Sequence, residues 1–255
     1  MTRSDRGVRA TTISLSILDY VACEDGVTLT EIANELDIAN STAHNHLSTL
    51  LDHRILSKDG RKYHLGVRLF HFGECARTYD PVYDLARQTI WDLAKTTNSE
   101  ADFLVEDGGR MISLYDVMEN NEETDFNVGE YYYMHSSATG KATLATLPEE
   151  QIHEILDNWG MPKQTENTIT NREKLFEELE EIREQGYAIN NQEITEGLYS
   201  VGTVVREPTG DPLGGISIGG PTYRLSQDTI DQTVRPLLDA VELLESRIEA
   251  VRTDP

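Results

Sequence analysis

The chain has 255 residues, long enough for two ordinary domains, and its 22 Lys+Arg against 45 Asp+Glu leave a formal net charge of −23. With 38% hydrophobic residues it can build packed cores, but no stretch approaches the roughly 20 apolar residues of a membrane span, and Met1-Thr2-Arg3-Ser4-Asp5-Arg6 is not the start of a signal peptide. Cys23 and Cys75 alone cannot make a disulfide framework or a multi-cysteine zinc site, so the composition predicts a soluble, cytoplasmic protein.

The acidity is uneven. Residues 1–78 hold 9 basic against 10 acidic side chains, whereas the remainder holds 13 against 35. A uniformly basic nucleic-acid binder is excluded, yet one segment is spared the acidity, as a segment facing a polyanion must be. Lysine supplies only 6 of the 22 basic residues. Abundant carboxylates with scarce lysine predict a halophilic protein adapted to molar salt, the plainer alternative being an ordinary acidic one.

In chain order, Ala10, Ile13, Ile17 and Tyr20/Val21 form a helical apolar stripe over residues 8–23, and Gly26 ends it. Thr28-Leu29-Thr30-Glu31 has the capping-box spacing, and Leu29, Ile32, Ala33 and Leu36 continue on one helical face. Asn40 is placed to cap a third helix from Ser41 to about Asp52. Ile55-Leu56-Ser57 and Tyr63-His64-Leu65 then flank an Asp59-Gly60 turn, a hairpin signal. Three short helices followed by a hairpin predict a winged helix-turn-helix.

The third helix carries the functional expectation. At 100° per residue, Ala43, Leu47, Leu50 and Leu51 share the core side. Ser41, Thr42, Asn45, Ser48 and Thr49 lie opposite, with His44 and His46 on the flanks. An ordinary amphipathic surface helix carries Glu and Lys on its outer face. This face is short, neutral and hydrogen-bonding, which suits the edges of bases in a major groove. Thr30, in the first turn of the preceding helix, joins the DNA-facing set. So do Lys58, Arg61 and Lys62 on the wing and Arg54 before it, as phosphate contacts.

Residues 67–98 read as connecting helices: Val67, Leu69, Phe70, Phe72 and Cys75 are too apolar for a flexible linker and predict packing against a partner. Asp80-Pro81 offers a cap and a first-turn proline for a helix through Val82, Leu85, Ala86, Ile90 and Leu93. Beyond residue 99 the pattern predicts strands at Ala101–Glu106 and Arg110–Met118 around Asp107-Gly108-Gly109, and another within 124–134. Helices follow from near Ser137, over Pro148–Trp159 and over Arg172–Gln185 with Gly186 as its stop. Strands at Tyr187–Asn190, Tyr199–Arg206 and Pro212–Gly219 precede a last helix from near Ser226, kinked at Pro236. Segregated hairpins and helices make this an α+β sensor-like domain.

The chemistry-bearing motifs argue against catalysis. Ala138-Thr139-Gly140-Lys141-Ala142 is not a phosphate loop, because the position five before Gly140 is His135 and Ala142 replaces the Ser or Thr after the lysine. No G-x-S-x-G elbow is present, and His135-Ser136-Ser137 are sequence neighbours rather than a catalytic pair. Five of seven histidines fall within 44–71, but His44-x-His46 lacks the supporting ligands of a metal site. No catalytic residue, cofactor or metal is expected.

The chain resembles the IclR-type bacterial and archaeal transcriptional regulators over nearly its whole length. The likeness rests on Leu29-Thr30-Glu31-Ile32-Ala33, Ser41-Thr42-Ala43-His44 and Tyr63-His64-Leu65-Gly66, then on His135 to Ala142. Thr165 to Thr168, Gly186-Tyr187-Ala188, Glu193 to Gly197 and Ile218-Gly219-Gly220-Pro221 complete it. The resemblance implies a winged helix-turn-helix over 1–66, a helical linker and dimerisation segment over 67–98, and a GAF-like α/β effector-binding domain with an antiparallel sheet over 99–255. It implies a homodimer, or a dimer of dimers, that binds a pseudo-palindromic operator in double-stranded DNA and controls catabolic genes. Its effector would be a small organic, aromatic or sugar acid held by Ala138, Thr139, Asn190, Ser200, Ser217 and Gly219. Two positions depart from the family pattern: Asn45 stands where a recognition-helix arginine is usual, and Asn190 where well-known members carry an acid. The alternative of another class is a stand-alone metabolite-binding or hydrolytic protein whose N-terminal domain serves only dimerisation.

Overall fold

The computed structural model describes residues 7–118, 128–226 and 229–253. The chain divides into two compact units, the first ending at Tyr79 and the second starting at Asp80. Among the described residues, no helix is long and apolar enough to cross a membrane.

The first unit runs α1 (Arg9–Ala22), β1 (Val27–Thr28), α2 (Leu29–Glu35), α3 (Asn40–Asp52), β2 (Leu56–Asp59), β3 (Lys62–Leu65) and α4 (Arg68–Arg77). It is a winged helix-turn-helix. The capping box forms as its spacing predicts: the Glu31 amide donates to Thr28 Oγ1 and the Thr28 amide donates to Glu31 Oε2 at 2.7 Å. Asn40 does not cap α3. The cap position is Ala39, with no side-chain bond, and Asn40 is already helical. Without a side-chain acceptor, the end of α3 is held by packing: Ala43, Leu47 and Leu50 join Ile17, Val21, Ile32, Leu56 and Tyr63 in one core. The sheet order is β1-β3-β2, with Asp59 opposite Lys62 and Gly60 in the left-handed region at φ 55°. α4 buries none of its residues, and Val67 and Phe70 are 87% and 70% exposed.

The second unit comprises α5 (Pro81–Thr97), β4 (Glu100–Asp107), β5 (Arg110–Val117), β6 (Tyr131–Tyr133), α6 (Ala138–Leu144) and α7 (Glu149–Trp159). It continues with α8 (Arg172–Gln185), β7 (Ala188–Asn191), β8 (Leu198–Arg206), β9 (Pro212–Pro221) and α9 (Ile230–Thr253). One six-stranded sheet, order β6-β5-β4-β9-β8-β7, is antiparallel at every pairing. Alternation along the strands gives it two faces. Phe103, Tyr115, Tyr199, Val201, Ile216 and Ile218 pack with α5 and α9, while Leu104 and Met111 share a second core with α6, α7 and α8.

Three sequence expectations change in detail. The segment 67–98 is not one connector: α4 belongs to the first unit, whereas Val82, Ala86, Ile90 and Leu93 of α5 are core residues of the second. Asp80 does cap α5, accepting from the Val82 amide at 3.1 Å. The strand sought within 124–134 is only Tyr131–Tyr133, and residues 124–127 lie outside the described residues. α9 starts at Ile230, after the undescribed 227–228, and remains one helix across Pro236.

Candidate functional site

The outer face of α3 sorts the sequence-predicted residues into two groups. Ser41, His44, Asn45, Ser48 and Thr49 are exposed, as are Thr30 on α2 and Arg54, Lys58, Arg61 and Lys62 around the hairpin. Thr42 is only half-exposed. His46 differs from expectation: it is half-buried, with Nδ1 2.8 Å from Ser14 Oγ, so it fastens α3 to α1 instead of pointing outward. The Thr49 hydroxyl donates back to the Asn45 carbonyl at 3.0 Å, which leaves its oxygen lone pairs and methyl outward. On the wing, Lys58 Nζ lies 4.8 Å from the Tyr63 ring centroid, and Lys62 Nζ donates to the Asp25 carbonyl at 3.0 Å. These bonds pre-position two cations that remain solvent-facing.

In the second unit the six residues expected around an effector share one side of the sheet. Gly219 on β9 lies opposite Ser200 on β8, and Ser200 lies opposite Asn190 on β7. Asn190 Nδ2 donates to Ser200 Oγ at 3.3 Å, and Asn190 Oδ1 accepts from the Glu193 amide at 2.7 Å. Two residues along β9, Ser217 faces Asp102 on β4 and donates its hydroxyl to Oδ1 at 2.6 Å and its amide at 3.2 Å. Ala138 and Thr139 open α6 above these strands, where Ser137 caps the helix by accepting from the Gly140 amide at 3.1 Å.

Two glycines allow α6 to descend so closely. A Cβ added at Gly202 would sit 2.8 Å from the Thr139 amide nitrogen, and one at Gly215 would sit 2.9 Å from Thr139 Cβ. Both are shorter than real contacts, and at Gly202 the obstacle is backbone. Gly202→Ala is therefore expected to lift α6 from the sheet and destabilise the unit by about 1–3 kcal/mol. Urea unfolding of the variant, read against the control Gly220→Ala, where an added Cβ meets nothing within 4 Å, checks this; a cost equal to the control's would refute the close approach.

Sequence reasoning missed the carboxylates beneath this layer. Glu100, Asp102 and Asp116 lie on the same side of the sheet, with Asp102 opposite Asp116 across β4–β5 and Glu100 opposite Gly219. Asp102 is completely buried, and burial pushes its carboxyl up to about 7; the bonds from Ser217 oppose the shift and the Asp116 charge adds to it. Burial likewise raises Glu193, against the attraction of Lys141, and lowers His135, despite its bond to the Pro162 carbonyl. Lys141, fully buried, joins Glu178 and Glu193 at 2.5 Å each. The signal for Asp102 was present in the sequence as an acid in the apolar run Ala101–Val105, but only the strand pairing shows that it meets Ser217.

Comparison with known proteins agrees with this architecture. Residues 78–245 match the family described as bacterial transcriptional regulator IclR C-terminal, and residues 10–60 match the IclR helix-turn-helix domain. The probable HTH-type transcriptional regulator ArcR of Halobacterium salinarum is 32% identical, covering 92% of each chain. The HTH-type transcriptional regulator BhcR of Paracoccus denitrificans is also 32% identical, over 96% of this chain and 86% of that one. Among solved structures, the Thermotoga maritima IclR is 26% identical with a TM-score of 0.72, covering 94% of this chain and 98% of that one. An IclR transcriptional regulator from Alicyclobacillus acidocaldarius, 24% identical, has the same fold with a TM-score of 0.82 over 95% and 99% of the two chains.

Proposed function

The chain belongs to the IclR family of transcriptional regulators, and on that premise we propose that it is a ligand-controlled regulator that reads operator DNA with the outer face of α3 and senses a small molecule on the α6 side of its sheet. The observation that carries the reading is the exposed, uncharged row Ser41, His44, Asn45 and Ser48, above a helix side fully committed to the core. A solvated surface helix has no reason to lack charge over three turns, whereas a helix that enters a groove of base edges does. Two such heads, held in a dimer or a dimer of dimers, would match a pseudo-palindromic site by their own two-fold symmetry. The effector, drawn from small organic, aromatic or sugar acids and their relatives, would act by preferring one arrangement of the heads over the other. Genes for the catabolism of that compound are the natural targets.

The neutral face also fits work at high salt. Phosphate contacts gain from counterion release, a gain that shrinks as salt rises, and at about 1 M salt the Debye length is only about 3 Å. Recognition then depends on hydrogen bonds and shape. Asn45, free of any partner drawn from its side chain among the described residues, has the bidentate geometry for adenine. Asn45→Ala is expected to weaken binding to the operator by about 1–3 kcal/mol and to leave binding to random DNA unchanged. Gel-shift titrations in high-potassium buffer, using the promoter DNA that flanks the gene, check both. Equal weakening on the two DNAs would assign Asn45 to anchoring, and no specific retardation by the parent protein would remove the regulator reading.

A further inference from the structure

The second unit's polar layer has a charge and hydrogen-bond balance that specifies its ligand, an inference that rests on the sensor reading above. On the α6 side of the sheet stand Glu100, Asp102, Asp116, Asn190, Ser200, Ser217 and Gly219, among them three carboxylic acids and no cation. Lys141, on the helix above, is held between Glu178 and Glu193. Buried oxygens on this side of the sheet without a hydrogen-bond partner among the described residues include Asp102 Oδ2 and Ser113 Oγ. Ser113 lies opposite Leu104 on the strand pair that also sets Asp102 opposite Asp116. Ser217 occupies Asp102 Oδ1 alone, so the second oxygen of a completely buried acid is left to accept. Native proteins seldom leave such an atom unused.

We propose that the sensor's ligand is a hydroxyl-bearing small molecule, of the sugar or hydroxy-acid class, whose hydroxyl donates to Asp102 Oδ2, and that the keto counterpart is rejected. Above about pH 7, where Asp102 is ionised, a keto or carboxylate oxygen brings lone pairs to an acceptor among further acids, whereas a hydroxyl brings the missing proton. Any carboxylate on the ligand lies away from the acidic sheet row. Ser113, whose hydroxyl can donate as well as accept, can hold a second oxygen of the same molecule. A site built to bond a hydroxyl discriminates strongly against an analogue lacking it, because its own buried group is then stranded.

The pH dependence has a defined sign. A donating hydroxyl favours ionised Asp102, whose carboxyl burial has pushed up to about 7, so affinity rises about tenfold from pH 6 to pH 8 and then levels off. Glu100 and Asp116 on the sheet, Glu193 after β7, His135 and Lys141 at α6, and Glu178 on α8 are the other titratable groups on elements packed around this layer. Of these, His135 is held low by burial and does not supply a rising affinity over that range.

The test is calorimetry and thermal shift on the full chain with matched hydroxy and keto probes: lactate against pyruvate, mandelate against phenylglyoxylate, with glucose and gluconate as polyhydroxylated members. The expected result is that at pH 8, in each pair that binds, the hydroxy member binds at least tenfold tighter, and that Asp102→Asn abolishes both the preference and the pH dependence. The pH profile of the parent protein supplies the same sign without any variant. Keto members binding equally or more tightly, or affinity falling from pH 6 to pH 8, overturns the hydroxyl assignment and leaves the sensor reading standing. Silence from every probe overturns both.

Discussion

Replacing Lys141 by Met is expected to destabilise the second unit by about 3–5 kcal/mol at neutral pH, because it strands two carboxylates that converge on one ammonium. The Lys141 side chain is fully buried, and Glu193 and Glu178 are 7% and 26% exposed, each 2.5 Å from Nζ. Methionine fills much the same volume, so the loss is electrostatic: an acid held above its usual range by burial loses the charge that opposed the shift. Glu178, which can turn partly to solvent, brings the value toward the lower end. The change should also loosen the segment after β7, since the Glu193 amide bonds Asn190 and the Thr165 and Thr168 hydroxyls donate to carbonyls at Gln192 and Glu193. Urea unfolding at pH 7 measures the loss. Adding Glu193→Gln to Lys141→Met should recover most of it, and a single variant as stable as the parent would show that the triad contributes nothing net.

The pattern of what the sequence made legible follows the range of the interactions. α8 ends where Gly186 provides the left-handed residue at φ 84°, and α5 begins where Asp80 and Pro81 supply an acceptor and a preset φ. These are local devices, readable within a few residues. The face of α3 was legible for the same reason, since a period of 3.6 separates Ala43 and Leu47 from Asn45 and Ser48 without knowledge of any partner. His46 was not, because its place is decided by Ser14, 32 residues earlier, on a helix whose approach no periodicity encodes. Asn40 misled because a good capping residue stood next to the true cap, and packing of Ala43 and Leu47 set the helix start. The effector-side residues came from a likeness of motifs, not from spacing. Asp102 and Ser217 lie 115 residues apart, and only the β4–β9 register joins them.

That junction gives the second large effect. Asp102→Asn should stabilise the protein at pH 8, although it removes a hydrogen-bonded acid. In the folded protein burial pushes this carboxyl from an ordinary 3.8 up to about 7. Between those values the folded state holds a proton that the unfolded chain has released, so stability falls as pH rises from about 4 to about 7 and is flat beyond. Asparagine never ionises. Its Oδ1 can still accept from the Ser217 amide and hydroxyl, and its Nδ2 turns a donor toward Asp116, the residue opposite. At pH 8 the gain should be of order 2–4 kcal/mol, at 1.36 kcal/mol per pKa unit, and it should vanish below pH 4. Thermal melts of the two proteins across that range check the convergence. A variant less stable than its parent at pH 8 would show that the fold itself favours the Asp102 charge, and then no ligand hydroxyl is needed to satisfy it. The same residue therefore links a loss of ligand preference to a gain in fold stability, the pairing expected where a buried charge is kept for binding and not for folding.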